Sequence, residues 1–576
     1  MRWLLPESDP GSVAELAAGL NLHLPAARVL WQRGYRDLAD ARKFLAPTLD
    51  DLHDPYLLKD MDRAVERLAR AVSAKEKILL YGDYDVDGTS SVVILMTALR
   101  LAGGDVEFHV PHRLRDGYGM RSEVVEEAAS RGVRLIISVD TGIRAQAVVE
   151  HANALGIDVI VTDHHLPETK PGEESAALPP AVAVLNPSRA DCCYPEKNLC
   201  GAGVTFKLIQ AFFGKLDWPA SKTRKLLESF LKLTAIATVA DVVSLTGENR
   251  IIVKHGLDGL RDVRNAGLRA LIDVSGFKDG DILSAGQVAF RIAPRINAAG
   301  RMASASDVVE MFLTADGERA KTIATQLNDL NTERQATEAA IVLKILEEVE
   351  QSPVADSDSA LVFAGEGWHR GVVGIVASRV IDRFHRPAFV LGIENGIAQG
   401  SGRSIPQFHL LDALESMPDL FSKFGGHRQA AGLTMSAANL PMFRQRLNEY
   451  AAKCLTVDDF QATLEISATI DLAEANDVSI AQILDLAPFG FGNAAPVFAI
   501  LQAELTVAPE IKNEKHAVLR LRQTGRNLRA MAWNFAERAS KLQAGDKVDV
   551  AVAFEPDAYS AQRGYAPWQA IVKDIR

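Results

Sequence analysis

Four short blocks of the sequence carry carboxylates and imidazoles in positions that suit metal chemistry. Their side chains are packed so densely that they would repel one another unless a cation lay between them. The blocks YGDYDVDG, SVDTG, VTDHH and TVADVV contribute Asp83, Asp85 and Asp87, then Asp140, then Asp163, His164 and His165, and then Asp241. A cluster of these residue types indicates a metal site.

The ligand types favour Mn²⁺ or Mg²⁺, because they are rich in oxygen and include no thiolate. The number of carboxylates suggests two ions, and Asp140, alone on its strand, is the natural bridge between them. Two ions about 3.5–4 Å apart are the usual device for hydrolysing phosphate esters. In the alternative interpretation each aspartate caps a helix or turn, which is common for a single Asp but accounts poorly for the whole set.

Short apolar strands alternate with helices around these blocks. The predicted strands are KILLYGD, DVEFHVP, VRLIISVD, DVIVTDHH and AVAVLNP. This alternation is typical of a doubly wound α/β fold with a parallel sheet, in which active sites lie at the carboxyl ends of the strands. We therefore predict that the first three blocks converge at one edge of the sheet, whereas Asp241 ends an apolar helical run.

The sequence divides into five predicted segments: an N-terminal helical segment (1–55), the catalytic α/β domain (56–260), a helical connector (261–352), a second α/β domain (353–455) and a small antiparallel, OB-like barrel (456–576). The connector ends in a proline-free run that predicts one helix about 50 Å long, acting as a strut between domains. In the barrel, Trp533, Phe535, Tyr559 and Trp568 could stack on bases beside His516, Arg520, Arg522 and Arg526, although filling the core is as good an interpretation for any one of them.

Bulk properties exclude several classes of protein. The 576 residues carry a net charge of −11, which argues against a general nucleic-acid coat protein but not against an enzyme with a local basic groove. No apolar run approaches the ~20 residues of a membrane span, and the four cysteines form no disulfide framework. We expect a cytoplasmic monomer that does not associate with membranes.

A phosphate-binding cleft is predicted in the second α/β domain. In SGRS, the backbone and the side chains of Ser401, Arg403 and Ser404 could cradle a phosphate, although an ordinary polar turn is an equally good interpretation of that motif alone. In GGHRQAAG, His427 and Arg428 are predicted to open a helix on the opposite wall. Further candidates elsewhere in the chain are Arg113, Arg295, Asn297 and Arg301.

The blocks together resemble the DHH phosphoesterase superfamily and, within it, the RecJ family of single-strand-specific exonucleases. The resemblance continues in order through PRINAAGRM, GWHRGVVGIVASR, SGRS, GGHRQAAG and PFGFGNAAPVF, and covers nearly the whole chain. It implies a DHH domain, a long helix, a DHHA1 domain and a C-terminal OB-fold domain.

The resemblance also implies a role for each candidate residue. Asp83 and Asp85 would bind one ion, Asp87, His164 and Asp241 the other, and Asp140 both. His165 would lie beside the reacting phosphate, and the arginines with the SGRS motif would hold a terminal 5′-phosphate. Tyr81 stands where many DHH phosphatases carry histidine, so Asp83 is its expected substitute.

The implied function is a 5′→3′ exonuclease that degrades single-stranded DNA to 5′-mononucleotides in DNA repair and recombination. Its implied partners are single-stranded DNA, a single-strand-binding protein and a helicase. One alternative is another DHH hydrolase, acting on short oligonucleotides, cyclic dinucleotides or polyphosphate, but the barrel and the long helix argue against it. The other is a non-catalytic, single-strand-binding replication scaffold, which the intact ligand blocks argue against.

Overall fold

The N-terminal segment packs on the C-terminal barrel rather than standing alone. A computed structural model of the chain describes residues 1–7, 9–113, 115–117, 119–168, 177–278, 280–355 and 357–576. Its first elements are β1 (Arg2–Leu4), α1 (Pro10–Leu20), α2 (Leu24–Gln32) and α3 (Leu38–Leu45). Leu16, Leu30 and Phe44, one from each helix, are buried in the same core as the barrel strands.

The catalytic domain is built on a five-stranded parallel sheet, which confirms the predicted fold class. Its elements are α4 (Met61–Ser73), β2 (Lys77–Tyr81), α5 (Val86–Leu101), β3 (Asp105–His109), α6 (Ser122–Ser130), β4 (Val133–Val139), α7 (Gln146–Ala154), β5 (Asp158–Thr162), β6 (Ala183–Leu185), α8 (Gly201–Phe213), α9 (Ala220–Ala240) and α10 (Gly247–Gly259). The strand order is β3-β2-β4-β5-β6.

The predicted strands are apolar because both faces of this sheet are covered. Helices α6 and α7 pack on one face, and α4, α5, α8 and α9 on the other. The strand order reverses between β2 and β4, and such a reversal opens a crevice at the carboxyl ends of the two strands.

The connector ends in the predicted long helix. Its elements are α11 (Ala266–Val274), α12 (Ala285–Gln287), a π-helical turn (Val288–Ile292), α13 (Ala293–Met302), α14 (Ser306–Leu313) and α15 (Gly317–Gln351). Ile323 and Leu327 of α15 are buried in the core of the catalytic domain, and Ile341 and Ile345 are buried against the second domain. The helix therefore joins the two domains, as a strut should.

The second α/β domain has a mixed sheet in the order β10-β11-β9-β8-β7. Its elements are β7 (Leu361–Glu366), α16 (Val373–Phe384), β8 (Ala388–Glu394), β9 (Ile397–Arg403), α17 (Leu410–Glu415), β10 (Lys423–Gly426), β11 (Ala430–Ser436) and α18 (Leu440–Cys454). Strands β7 and β8 are parallel, and the other neighbours are antiparallel.

The prediction that His427 and Arg428 open a helix is wrong. They lie in the tight connection between β10 and β11, where the His427 backbone N–H donates to the Ala430 carbonyl at 2.8 Å. The residues that follow form β11 because they pair along their whole length with β9, from Ala430 opposite Arg403 to Ser436 opposite Ile397.

The last domain is the predicted barrel. Its elements are β12 (Thr463–Glu465), β13 (Ala468–Thr469), α19 (Asp477–Leu484), β14 (Val497–Leu505), β15 (Glu510–Lys512), β16 (His516–Gln523), β17 (Arg526–Ala532), α20 (Ala536–Ala539), β18 (Lys547–Pro556), α21 (Ala558–Gln562) and β19 (Trp568–Ile575). The sheet order is β13-β14-β18-β19-β17-β16-β15, and an additional pairing of β14 with β16 curls it towards closure. Across the described residues, we find no helix with the length and apolar character needed to cross a membrane.

Candidate metal centre and phosphate-binding cleft

The crevice between β2 and β4 is occupied by Asp140, which directly follows β4. Its side chain is 2% exposed, its φ is +59°, and its backbone N–H donates to the Thr162 carbonyl at 2.9 Å. A left-handed conformation is uncommon for a residue other than glycine, and such conformations cluster at functional sites. The chain therefore accepts a strained backbone to place this carboxylate at the switch point of the sheet.

The predicted metal-binding side chains converge around Asp140. The His164 Nε2 atom lies 3.2 Å from Asp140 Oδ1 and 3.7 Å from the nearest carboxylate oxygens of Asp87 and Asp241. Three groups have ligand atoms within 4.8 Å of one another: Asp83, Asp85 and Asp140; Asp87, His164 and Asp241; and Asp140, His164 and His165. The first group consists of residues expected to bind one ion and the second of residues expected to bind the other. Asp140 belongs to the first group and lies 3.2 Å from His164 of the second.

Several of these atoms are buried without a hydrogen-bond partner. They are Asp83 Oδ1, Asp140 Oδ1, His164 Nε2 and Asp241 Oδ2. Buried polar atoms are rarely left unpaired in proteins, and an ion is one standard explanation when they are. Four such atoms, one from each sequence block, meet at one point and fit the binding of cations.

The pKa shifts of these side chains also favour a bound cation. Burial, followed by the negative charges of Asp87 and Asp85, raises the pKa of Asp241 to about 9. The pKa of Asp140 also lies well above its usual range, first because of burial and then because of the surrounding carboxylates. Burial lowers the pKa of His164, so this imidazole is neutral and keeps a lone pair for a metal. A cation would replace the protons that otherwise neutralise the cluster.

Backbone N–H groups support two of the ligands. Asp85 does cap a helix, as the alternative interpretation supposed, because its Oδ1 atom accepts from the Asp87 and Gly88 N–H groups at the start of α5. Asp87 accepts from the N–H groups of Gly201 and Ala202 at the start of α8, at 2.5 and 2.8 Å. Capping thus helps to fix the orientation of each carboxylate at the edge of the cluster.

Gly201 was not among the predicted site residues. A Cβ atom at this position would lie 2.6 Å from the Asp140 Cβ atom, so only glycine allows α8 to approach the site this closely. The run CGAG at the start of an apolar helix was the available signal, but a glycine there is more often a simple turn.

Asp163 supports the pair of histidines and does not belong to the three clusters. Its Oδ1 atom accepts from the His164 and His165 backbone N–H groups and lies 2.7 Å from His165 Nδ1, and its Oδ2 atom accepts from the Ile143 N–H. Burial alone would lower the pKa of His165, but the hydrogen bond and charge of Asp163 outweigh it and raise that pKa. Asp163 therefore fixes the ring orientation of His165.

Tyr81 points away from the cluster. Its hydroxyl donates to the Gly119 carbonyl at 3.3 Å, and its ring packs on the sheet face that α6 and α7 cover. It therefore takes no part in the site, and Asp83, two residues later, contributes the oxygen at the edge of the first group.

Three of the predicted arginines meet beside the metal cluster. The Arg113 guanidinium lies 4.8 Å from the centre of the ring of Tyr84, which stands between Asp83 and Asp85 in sequence. Burial, followed by the positive charges of Arg113 and other arginines that include Arg403, lowers the pKa of Arg301 to about 10. Mutual repulsion of this kind shows that the guanidinium groups share one small region, which would attract an anion.

Two members of the arginine cluster (Arg113, Arg301 and Arg403) border the start of α16, namely Arg301 and Arg403. A Cβ atom added at Gly374 would lie 3.4 Å from both Arg403 Nη2 and Ser401 Oγ, so both side chains border this turn. Arg301 donates to the Gly371 carbonyl, just before the helix, at 2.9 Å. A helix N-terminus with arginines around it is complementary to a phosphate group.

The other predicted phosphate ligands are directed elsewhere or lie at the margin. Arg295 donates to Asn328 Oδ1 on α15, Ser404 donates to the Phe408 carbonyl, and Arg428 donates to the Pro406 carbonyl. Asn297 accepts from the Val86 N–H at 3.3 Å and so steadies the loop that carries the aspartates. These described contacts do not bring the four side chains to the arginine cluster.

His427 lies on the opposite side of the cleft. Burial, followed by the positive charges of Arg144, His165 and His409, lowers its pKa. Arg144, which donates to the Leu166 carbonyl, was not among the predicted site residues because nothing in its sequence context separates it from a surface charge. His427 therefore lies within electrostatic reach of His165.

On the barrel, the aromatic candidates divide into two pairs. Phe535 and Trp568 pack against the hydrophobic core, and Trp568 also donates to Asp477. Trp533 and Tyr559 are exposed, and the Trp533 ring lies 4.7 Å from the ring of His516. Of these four candidates, only the second pair is available to stack on bases.

Comparisons with known proteins assign the domains and the family. The chain matches the DHH family N-terminal domain over residues 77–238, the DHHA1 domain over 357–453 and the RecJ OB domain over 466–574. It is 38% identical over 555 residues to the single-stranded-DNA-specific exonuclease RecJ of Bacillus subtilis (strain 168), an alignment that spans 96% of this chain and 68% of that protein. The chain belongs to the RecJ family.

Solved structures of the RecJ family agree with this fold. The Mn²⁺ complex of RecJ from Thermus thermophilus is 31% identical, with a TM-score of 0.83 and coverage of 100% of this chain and 79% of that one. The Mg²⁺ complex from the same organism is 28% identical, with a TM-score of 0.74 and coverage of 100% and 78%. The predicted arrangement of DHH domain, long helix, DHHA1 domain and OB-like barrel is therefore confirmed.

Proposed function

We propose that this RecJ-family protein is a 5′→3′ exonuclease that degrades single-stranded DNA to 5′-mononucleotides in DNA repair and recombination. The observation that carries the proposal is the position of the arginine cluster beside two adjacent ligand groups, with Asp140 of the first lying 3.2 Å from His164 of the second. The Bacillus subtilis relative is itself named a single-stranded-DNA-specific exonuclease, which supports the substrate.

Two Mn²⁺ or Mg²⁺ ions would be held by the residues around Asp140. Asp83, Asp85 and Asp140 would bind one ion, and Asp87, His164, Asp241 and Asp140 the other. When bound, such ions supply a hydroxide nucleophile and neutralise charge on the phosphoryl oxygens. Metal complexes of the Thermus thermophilus relative support this choice of ions.

His165 acts on the reacting phosphate in this proposal. Because Asp163 accepts from Nδ1 at 2.7 Å, the His165 ring is fixed beside Asp140 and His164, where the reacting phosphate would lie. The raised pKa keeps a larger fraction of the ring protonated near neutral pH. A protonated Nε2 would stabilise a phosphoryl oxygen or deliver a proton to the leaving oxygen.

The arginine cluster would anchor the terminal 5′-phosphate. Arginine binds phosphate through a bidentate fork, and Arg301, Arg403 and Ser401 surround a helix N-terminus that adds partial positive charge. An anchored 5′ end leaves only bonds a short way into the strand within reach of the metal cluster, which makes the enzyme an exonuclease. His427 would line the same cleft, while Arg295, Asn297, Ser404 and Arg428 would hold its walls.

The barrel, the cellular location and the partners are also part of the proposal. The exposed Trp533 and Tyr559 on the barrel are suited to hold the rest of the single strand. We place the enzyme in the cytoplasm as a monomer that works with a single-strand-binding protein and a helicase.

A degradation assay tests the function directly. The protein is incubated with a 5′-labelled single strand, the matching duplex and the matching RNA, with Mn²⁺ or with EDTA. A labelled mononucleotide should appear from the single strand with Mn²⁺ only. Its absence, or its appearance with EDTA, would contradict the proposal. Preferential hydrolysis of a cyclic dinucleotide or a very short oligonucleotide would favour a different DHH-type substrate.

A further inference from the structure

The loop Pro488–Asn493, whose sequence is PFGFGN, is held rigidly at the edge of the barrel. Asn493 is fully buried, and its side-chain amide donates to the Leu486 and Pro488 carbonyls at 3.1 and 2.7 Å. Arg33 of the N-terminal segment donates to Asn493 Oδ1 at 2.5 Å. The loop is thus clamped from both sides, and its position is fixed.

This loop also docks on the turn that follows Asp241. The Leu245 N–H donates to the Phe491 carbonyl at 2.8 Å. Gly492 has a φ of +71°, and a Cβ atom there would collide with Ser244 Oγ, so the contact requires glycine. Since Leu245 is four residues beyond Asp241, their Cα atoms are at most about 14 Å apart. The loop therefore lies at the rim of the metal cluster.

Phe491 projects from this fixed backbone into solvent. Its side chain is 64% exposed, whereas Phe489, two residues earlier, packs against the barrel core. No aromatic or cation–π contact within the described part of the chain involves the Phe491 ring. A large apolar side chain exposed on a rigid loop beside a candidate active site needs an explanation other than core packing.

We propose that Phe491 is a positioning residue on which one base of the single strand stacks, on the 3′ side of the scissile bond. Aromatic side chains bind single strands by stacking, which tolerates any sequence because every base has a π-face. The proposal rests on the exonuclease function proposed above.

We place Phe491 on the 3′ side of the scissile bond because of the order in which the arginine cluster, the two ligand groups and Phe491 lie along the crevice. The arginine cluster borders Tyr84, between Asp83 and Asp85 of the first ligand group. Phe491 is tied to the turn after Asp241, which belongs to the second ligand group. A strand anchored by its 5′-phosphate at the arginines and crossing both groups would reach Phe491 with a nucleotide beyond the cut. A base in a duplex is already stacked and paired, so this contact would favour a single strand.

An abasic scan combined with substitution tests the contact. The substrates are 5′-phosphorylated single strands with one abasic nucleotide moved from the second to the sixth position, together with an intact strand and a 5′-phosphorylated dinucleotide whose second nucleotide is abasic. In the unmodified protein, one abasic position should lower kcat/KM by about 5- to 100-fold, the value of one stacked base. Phe491→Ala should lower kcat/KM on the intact strand by the same factor and abolish the abasic effect, whereas Phe491→Trp should preserve both.

Two controls keep the test specific. Leu343→Ala removes an apolar side chain of similar exposure, 58%, from the long helix and should change nothing. Hydrolysis of the dinucleotide, which carries no base beyond the scissile bond, should be equal in Phe491→Ala and the unmodified protein, showing that the metal centre is intact. If Phe491→Ala unfolds, Phe491→Leu keeps an apolar side chain and should still lose the stacking effect.

Equal rates for Phe491→Ala and the unmodified protein on the intact strand would overturn the proposal, as would an abasic effect that persists in the variant. If the unmodified protein cleaves no strand at all, the exonuclease function fails instead. Fluorescence anisotropy of the same labelled strands would then still measure the stacking, because binding does not need cleavage. If the protein cleaves no strand and its affinities change neither with the abasic site nor with Phe491→Ala, the stacking proposal is rejected as well.

Discussion

The metal cluster and the arginine cluster lie side by side but are built in different ways. Most ligands of the metal cluster follow neighbouring strands of one sheet, namely β2, β4 and β5. Several of their atoms are buried and lack a hydrogen-bond partner. The arginines come from three separate parts of the chain, and Arg301 already donates to a backbone carbonyl. The first cluster holds buried polar atoms that lack hydrogen-bond partners, whereas at least one arginine of the second already has a partner within the protein.

This difference predicts that changes in the metal cluster abolish chemistry, whereas changes in the arginine cluster alter selectivity. Asp140→Ala removes the carboxylate that we propose binds both ions. We expect the rate of strand degradation to fall by at least about a thousandfold, because metal ions supply several kcal/mol of transition-state stabilisation. Anisotropy should show that the variant still binds the single strand.

Asp105→Asn is the matched control for this change. Asp105 is exposed at the amino end of β3, at the opposite edge of the same sheet, and its substitution should leave the rate unchanged. Substantial activity in Asp140→Ala would remove the shared-ligand assignment.

A smaller loss of rate is expected from Asp163→Asn, because Asp163 orients the His165 ring. The rate should fall by about 10- to 100-fold, as is usual when a residue that orients a histidine in a metal site is removed. Without the carboxylate, the interaction that raises the pKa of His165 is lost, so the limb of the pH–rate profile that reports His165 should move to lower pH. A lower rate with an unmoved profile would indicate that Asp163 has only a structural role.

Arg403→Ala tests the other side of the comparison. The variant should lose about 10- to 100-fold of its preference for a 5′-phosphorylated strand over a 5′-hydroxyl strand, the value of one or two charged hydrogen bonds. The rate on the 5′-hydroxyl strand should change little. Arg446→Ala, which removes an arginine paired with Asp419 in the same domain, is the control. An equal loss on both strands would show that Arg403 acts on the chemistry instead of the strand end.

A further prediction concerns the stability of the folded chain without metal. In the unfolded chain Asp241 loses its proton near pH 4, but in the folded chain it keeps the proton up to about pH 9. The folded state therefore binds more protons between these values, and its free energy of unfolding should decrease as the pH rises, by up to about 1.4 kcal/mol per pH unit. Urea unfolding in EDTA from pH 5 to 8.5 measures this slope. Mn²⁺ should flatten this slope, and Asp241→Asn should reduce it, because the pKa of Asp140 remains raised; an unchanged slope in Asp241→Asn would contradict the assignment.

The same contrast explains what could be predicted from the sequence. The five strands and the metal blocks follow from local patterns, because a strand end fixes where the next residues lie. The hairpin at His427 was missed because pairing of β11 with β9, across the domain, decided its structure. The supporting roles of Asp163 and Gly201 were missed because they depend on a neighbour's orientation and on close packing of α8. Arg295 and Arg428 could not be separated from Arg301 and Arg403 without knowing which carbonyls lie nearby.

Counting bound ions tests the central claim most directly. Metal-free protein is titrated with Mn²⁺ while the free ion is followed by electron paramagnetic resonance, for the unmodified chain and for Asp140→Ala and Asp241→Asn. The unmodified chain should bind two ions that are magnetically coupled, because we propose that Asp140, which lies 3.2 Å from His164 of the second ligand group, binds both. Asp241→Asn should weaken one ion selectively, and Asp140→Ala should weaken both. A single bound ion, or two uncoupled ions unaffected by Asp140→Ala, would contradict the account.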